Sequence, residues 1–392
     1  MNGRICLDGD RRQTILYGIT AGISAKWLLK GQLRWMADRY NVLLVCNPDV
    51  AAYDTAHQES VPLIGIPMER KPSLAVDLLG LWRWIMVVRH YRPDITNVST
   101  PKAALLGGLA AWVCRVPRRL YVVRGLRLEG FSGIRRRVLR GLEWLSMAVA
   151  TDLVFVSPSL AAAARKEGLV GRRRAWLIGD GSSNGIDCHA LAERVRQVDC
   201  AQVRRDWGLS KDAFVVGYIG RLAVDKGIDI LASAMESGHI SSSTMLLAVG
   251  PSEDERTYTH LHRLGSRVVV LPELDDVAPA LAIIDVLCLP TRREGFPTVV
   301  LEAGAANVPV ITTRATGAVD SVINGQTGWL VDVDDVDGLA KAIRLAQLNP
   351  TERTAMGAAA HTRVAGRFAP DRIWAGLVGI MSGSTGSDVT SV

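Results

Sequence analysis

Short apolar runs alternate with stretches in which apolar residues recur every three to four positions, along nearly the whole chain. Residues 14–17, 42–46, 95–98, 119–123 and 152–156 read as buried strands, with a helix predicted over 25–39 and further helical stretches between the later strands. A second series begins near Val203. There, strands are predicted over 214–220, 245–249 and 283–290, helices start at Ile228 and cover 298–306, and the alternation runs on to Arg367. Strands alternating with helices imply parallel sheets, so the pattern predicts two α/β halves. Residues 184–202, polar and charged, read as a linker between them. Residues 368–381 carry Pro370 and then Ile373, Trp374, Leu377 and Ile380 on one helical face, and the Ser/Gly/Thr-rich residues 382–392 read as a disordered tail.

Composition agrees with this picture. With 392 residues, 48% hydrophobic and 22% charged, the chain has the make-up of a globular protein of two domains. The six cysteines (Cys6, Cys46, Cys114, Cys188, Cys200 and Cys288) are scattered without a C-x-x-C pair, and most fall in apolar segments. That fits free thiols packed as small hydrophobes in a reducing cytoplasm. The first 17 residues lack the apolar core of a secretory signal, and no run of 18 apolar residues is present. The longest apolar segment, 103–114, contains Gly107 and Gly108 and reads as a buried helix.

Candidate chemistry concentrates in Arg293–Glu294–Gly295–Phe296–Pro297–Thr298–Val299–Val300–Leu301–Glu302. Glu294 falls in a strand-to-helix loop and Glu302 about one turn into the helix. A helix N-terminus at the carboxyl end of a parallel strand offers N–H groups and a positive dipole end to an anion. Carboxylates beside it can each accept two hydrogen bonds from vicinal hydroxyls. Diphosphate at the helix end with hydroxyls on either side describes a sugar nucleotide. A capping box between Thr298 and Glu302 does not fit, because Leu301 holds the position that motif needs. Upstream, the strand ending at Gly220 is followed by Arg221 and Lys226–Gly227, cations placed to stabilise a departing diphosphate. The strand over 245–249 ends in Gly250–Pro251, a third strand end suited to a ligand crevice.

These motifs, in order and spacing over residues 215–331, resemble the retaining glycosyltransferase family 4. They comprise Gly220–Arg221, Lys226–Gly227, Gly250–Pro251, Glu294-Gly-Phe-Pro-x4-Glu302 and the stretch from Asn324 to Gly328. The resemblance implies the α/β GT-B fold, two Rossmann-like parallel-sheet domains facing a cleft. The first would be an acceptor-binding domain over 1–190 and the second a nucleotide-sugar domain over 203–367, with a crossing-back helix over 368–381. It also implies roles. Glu294, Arg221 and Lys226 would be catalytic, and Glu302 would hold the ribose. Gly220, Gly250, Gly295, Phe296, Pro297, Thr298 and Val299 would line the donor, with Gly22 and Arg124 on the acceptor side. Many members carry a histidine after the strand that here is 120–123, and this chain has Arg124 in that neighbourhood.

The patches 182–187 and 124–130 resemble bacterial enzymes that extend undecaprenyl-diphosphate-linked sugars for capsule, exopolysaccharide or glycan precursors. The charge map is in keeping with such an acceptor. Nine arginines stand between Arg115 and Arg140 against one acid, Glu129, in a chain of net charge +7. Ile134, Val138, Leu142 and Leu145 recur at helical spacing beside Arg135–Arg137, with Trp144 near. Such a helix can lie on an anionic leaflet, or its apolar stripe can simply face the core. Nucleic acid is not expected, for want of a matching motif. Metal is not expected either: Asp8–Asp10, Asp332–Asp334 and Asp335–Asp337 match a D-x-D spacing but follow no nucleotide-binding strand, and Arg221 with Lys226 supply the charge a metal would. Gly179–Asn184 lacks the third glycine of a dinucleotide fingerprint.

The expected activity is transfer of a sugar, with retention, from a nucleoside diphosphate sugar (UDP-linked) to an acceptor hydroxyl on a lipid-linked sugar, without a cofactor. The alternatives are a soluble small-molecule acceptor, a sugar-nucleotide epimerase, or an inactive binding protein on the same architecture.

Overall fold

The computed structural model describes residues 12–68, 73–252, 255–384 and 386–392. Cys6 and the Asp8–Asp10 pair lie outside them. The chain forms two compact units: residues 1–155, 164–177 and 374–392 make the first, and 156–163 with 178–373 the second.

The first unit contains β1 (Thr14–Gly18), α1 (Gly22–Leu28), α2 (Gln32–Ala37), β2 (Asn41–Cys46), α3 (Val50–Glu59), β3 (Leu63–Gly65), α4 (Leu74–Tyr91) and β4 (Ile95–Ser99). It continues through α5 (Pro101–Val113), β5 (Arg118–Val123), a 3-10 turn (Arg127–Gly130), α6 (Gly133–Ala148), β6 (Asp152–Phe155), α7 (Pro158–Lys166), shared with the second unit, and β7 (Arg174–Ile178). The helix predicted over 25–39 is two helices. Gly31, at φ 75°, takes a left-handed conformation between them, and Trp374 packs where its Cβ would be.

Strand order is β14-β7-β6-β5-β4-β1-β2-β3, where β14 (Val389–Ser391) comes from the chain end. The pairs from β3 through β7 are parallel. Because chain order reverses between β1 and β4, right-handed crossovers put α4, α5 and α6 in one layer, with α4 on α5 and α5 on α6. Leu16, Val45, Trp84, Val88 and Ala110 are buried beneath that layer.

The second unit contains α8 (Cys188–Arg196), α9 (Cys200–Asp206), β8 (Val215–Ile219), a 3-10 turn (Val224–Lys226), α10 (Ile228–Glu236), β9 (Met245–Val249), α11 (Glu255–His262), β10 (Val268–Leu271) and α12 (Ala278–Ile283). β11 (Val286–Leu289), α13 (Thr298–Ala305), β12 (Val310–Thr313), β13 (Gly328–Val331), α14 (Val336–Leu348) and α15 (Pro350–Arg367) complete it. Its six-stranded sheet runs β10-β9-β8-β11-β12-β13, parallel throughout. α16 (Pro370–Ser382) belongs to the second unit up to Ile373 and to the first from Trp374, whose ring lies 5.6 Å from that of Trp35.

Three expectations are corrected. Residues 184–202 are largely helical, because Asp187 and Asp199 cap α8 and α9 by accepting from the N–H groups of Ala190 and Gln202. The tail over 382–392 is not disordered throughout, since Val389–Ser391 extends the first sheet and Val392 donates its N–H to Ala175. Residues 174–178, where no strand was predicted, form β7. The division of the chain also differs: residues 178–190 pack with the second unit rather than the first.

Candidate active site

In the second sheet, chain order reverses between β8 and β11. Two crossovers leave in opposite directions there, so the carboxyl ends of these strands border an open crevice. Arg221 and Lys226 follow β8, and Glu294 follows β11. The fold therefore brings to one place residues separated by about 70 positions in the chain.

The two loops are stitched together atom by atom. The Arg292 N–H donates to the Asp225 carbonyl at 3.0 Å, and the Thr291 hydroxyl donates to the same oxygen at 3.2 Å. The Arg292 guanidinium forks onto Asp229 at 2.8 and 3.0 Å and reaches Asp334 at 2.7 Å. These carboxylates, Asp229 first, hold the guanidinium pKa above its ordinary value. Gly227 makes the approach possible: at φ 72°, an added Cβ would lie 1.8 Å from the Pro290 carbonyl oxygen. Gly250 does the same on the other side. Its φ is 140°, and a Cβ would stand 2.1 Å from the Gly220 carbonyl oxygen.

Within this frame Lys226 Nζ lies 2.5 Å from Glu294 Oε1 and 3.4 Å from the Arg293 carbonyl. Arg221 lies 3.2 Å and Arg293 3.1 Å from the same carboxylate oxygen of Asp225. The buried Tyr218 hydroxyl donates to the Arg221 carbonyl at 2.6 Å, and burial first, then Glu294, pushes its pKa well above the phenol range. The Glu294 N–H donates to Thr316 at 2.9 Å, which aims the loop. Gly295, Phe296 and Pro297 are buried, and Phe296 stacks at 5.5 Å on Phe368. Pro297 precedes α13, so Thr298 and Val299 present first-turn N–H groups without intrahelical acceptors. Glu302, half-buried, follows one turn later.

Sequence reasoning passed over Asp225, Asp229, Arg292 and Arg293. The signal was present as alternating charge in Arg221–Lys226 and Arg292–Glu294, but nothing in the order of residues says that the two segments meet.

In the first unit, Gly22 opens α1 and donates its N–H to Asp49 at 3.1 Å. Arg124 leaves the end of β5 facing Tyr17, and burial lowers its guanidinium pKa to about 10, so it stays charged at neutral pH. At the reversal between β1 and β4, Thr100 holds a left-handed φ of 68°, unusual for a β-branched residue, and its hydroxyl lies 2.7 Å from that of Thr20. Of the D-x-D candidates, Asp335 caps α14, Asp334 pairs with Arg292, and Asp332 lies 3.4 Å from Arg314. Among the described residues no cluster of three or more His, Cys, Asp or Glu could hold a metal ion.

A two-sheet α/β chain with charged loops at the reversal of its second sheet has the form of a GT-B glycosyltransferase, and comparison with known proteins agrees. The model described as glycosyl transferases group 1 matches residues 200–363, and that of the glycosyl transferase 4-like domain matches 28–181. A capsular polysaccharide biosynthesis glycosyltransferase of Staphylococcus aureus is 33% identical over 93% of this chain and 95% of its own length. The Escherichia coli UDP-Gal:alpha-D-GlcNAc-diphosphoundecaprenol alpha-1,3-galactosyltransferase is 25% identical over 78% and 80%. An Anabaena protein solved with UDP and glucose superposes with a TM-score of 0.77 at 20% identity, over 95% of this chain and all of that one. The chain belongs to the group 1, family 4-like glycosyltransferases.

Proposed function

We propose that this enzyme transfers a sugar, with retention, from a UDP-sugar to a hydroxyl of a lipid-linked sugar in the assembly of a bacterial polysaccharide. The observation that carries the reading is the Lys226–Glu294 pair at the β8/β11 reversal, flanked by Arg221 and the first turn of α13. Glu302 accepts from the ribose hydroxyls. Arg221, Lys226 and the N–H groups of Thr298 and Val299 receive the diphosphate, while Gly220 and Gly250 let the backbone approach it. Glu294 accepts from hydroxyls of the transferred sugar, beside the backbone of Gly295–Pro297. As the anomeric carbon–oxygen bond breaks, negative charge grows on the β-phosphate and the fixed cations stabilise it more than they do the ground state. The acceptor oxygen bonds to the anomeric carbon on the same face, and its proton passes to the leaving phosphate oxygen, so no protein base is needed.

The acceptor's chemistry is supported by the relatives above, by Arg124 and by α6. The apolar stripe of α6 does not turn inward: Ile134 is 75% and Val138 56% exposed, and Glu143, Ser146 and Met147 face the core instead. That orientation supports a bilayer contact through the arginines from Arg115 to Arg140.

The test is a panel of UDP-, GDP- and dTDP-sugars scored by thermal shift, donor hydrolysis and transfer to a diphosphate-linked sugar, with and without EDTA. Stabilisation and turnover with one nucleotide class, unchanged by EDTA, are expected. Absence of any nucleotide response would sink the donor site, and loss of activity in EDTA would sink the metal-free mechanism.

A further inference from the structure

α4 carries apolar residues on its exposed face as well as its buried one, its charged or titratable positions being Asp77, Arg83, Arg89 and His90. Gly80, Trp84 and Val88 face the sheet and are buried, as an amphipathic helix requires. Yet the opposite face, at positions 75, 78, 79, 82 and 86, is Ala, Leu, Leu, Trp and Met, all exposed, and Arg89 ends the stripe. Leu78 is 67% and Trp82 57% exposed. An apolar stripe on the side of a helix turned away from its own core is ordinarily covered by protein or lipid. Next to it in the layer, α5 exposes Trp112 and Val113 at its carboxyl end, and α6 exposes Trp144, Leu142, Val138 and Ile134.

Charge says what covers this layer. Among α4, α5 and α6 the acids are Asp77, paired with Lys102 at 2.7 Å, and Glu143, which is buried. The exposed charges of the three helices are Arg89, Arg135, Arg137 and Arg140, of which Arg140 lies 3.6 Å from Glu167, with Arg92 and Arg115 just beyond the ends of α4 and α5. A second copy docked on this face would set arginine against arginine. An anionic leaflet meets the same layer with phosphates for the arginines, acyl chains for leucine and methionine, and an interface suited to tryptophan. Among the described residues no helix is long and apolar enough to cross a membrane, so the layer would lie in the interface rather than span it.

We infer that the outer face of α4, with the ends of α5 and α6 beside it, is a bilayer-docking surface in which α4 supplies the apolar insertion and α6 the headgroup attraction. This deepens the lipid-linked acceptor reading, on which it rests, and assigns the apolar part of the contact to a helix outside the basic segment from Arg115 to Arg140.

The experiment is co-sedimentation of the full chain with vesicles of phosphatidylglycerol and phosphatidylcholine, or of phosphatidylcholine alone. Wild type should bind the anionic vesicles at least about tenfold better than the neutral ones, since each basic residue near the surface adds attraction. Leu78→Asn with Trp82→Asn should lose at least about tenfold of that binding, as expected for two large apolar groups withdrawn from the interface. The same variant should retain wild-type donor hydrolysis and UDP-dependent thermal shift, which shows that it folds. Should the pair not fold, Trp82→Gln alone is read in the same assay. Equal vesicle binding by wild type and variant overturns the inference. So does a wild-type dimer that the variant converts to monomer while neither binds vesicles. The glycosyltransferase reading fails separately, through absence of transfer to a short-chain, water-soluble acceptor, which does not depend on vesicles.

Discussion

Lys226 Nζ and Glu294 Oε1 stand 2.5 Å apart, with side chains only 17% and 16% exposed. This ion pair closes the gap between the loops after β8 and β11, where the second sheet reverses. The two residues, to which the proposed function gives separate roles toward the sugar nucleotide, hold each other in place. On that proposal, donor binding divides them, Lys226 toward phosphate and Glu294 toward sugar hydroxyls.

Lys226→Ala should lower kcat by about 10²–10³, the scale of losing one fixed donor to developing charge. Glu294→Gln should do likewise, and the double variant should lose much less than the product of the two, because the residues are in contact. Steady-state kinetics with a melting curve for each variant checks this. Full activity in Lys226→Ala would remove it from the diphosphate site.

Asp225 orients two guanidinium groups through one carboxylate oxygen, so Asp225→Asn should loosen Arg221 and Arg293 together. The expected result is a rise of about tenfold in donor KM, with a smaller change in kcat, as for a residue that positions binding groups without touching the reacting atoms. Arg293→Ala alone should raise the KM less. If Asp225→Asn instead lowers kcat at unchanged KM, its carboxylate acts on the transition state.

Gly227→Ala forces a Cβ onto the Pro290 carbonyl in a left-handed conformation, and should cost about 2–4 kcal/mol. A drop of several degrees in Tm is expected, with greater loss of activity than of secondary structure. An unchanged Tm would show that the loops can separate freely.

Glu143 carries the clearest pH signature. Burial raises its pKa to about 7, although it accepts the Arg127 N–H at 2.7 Å. The folded state then holds a proton that the unfolded chain releases near pH 4.5. Stability from this group is full below that value and is lost as pH rises toward 7, on the order of 3 kcal/mol in all. Glu143→Gln keeps an acceptor for Arg127 and should flatten this slope, raising Tm at pH 8 but not at pH 4.5. Parallel Tm profiles for the two proteins would refute the assignment.

Much of the machinery was legible because its causes are local. The strand over 245–249 has the predicted bounds, and the spacing of Glu294 and Glu302 across Gly-Phe-Pro marks a strand-to-helix turn wherever it occurs. The caps at Asp187 and Asp199 were equally local and could have been read, since an aspartate before a helical stretch is a start signal. The strand at Val389–Ser391 was not, because an edge strand exists only where a partner offers its backbone.

The sequence by itself determined two alternating α/β halves and the glycines and charged residues at their strand ends, while the strand order that produces both reversals is a property of the fold. Only the tertiary structure decided that Asp225 serves Arg221 and Arg293 at once, and that α6 turns its apolar stripe outward with Glu143 inward. It also decided which side of α4 remains uncovered. A periodic pattern tells which residues share a helix face, but where both faces are apolar, as in α4, only the position of the sheet settles which one is buried.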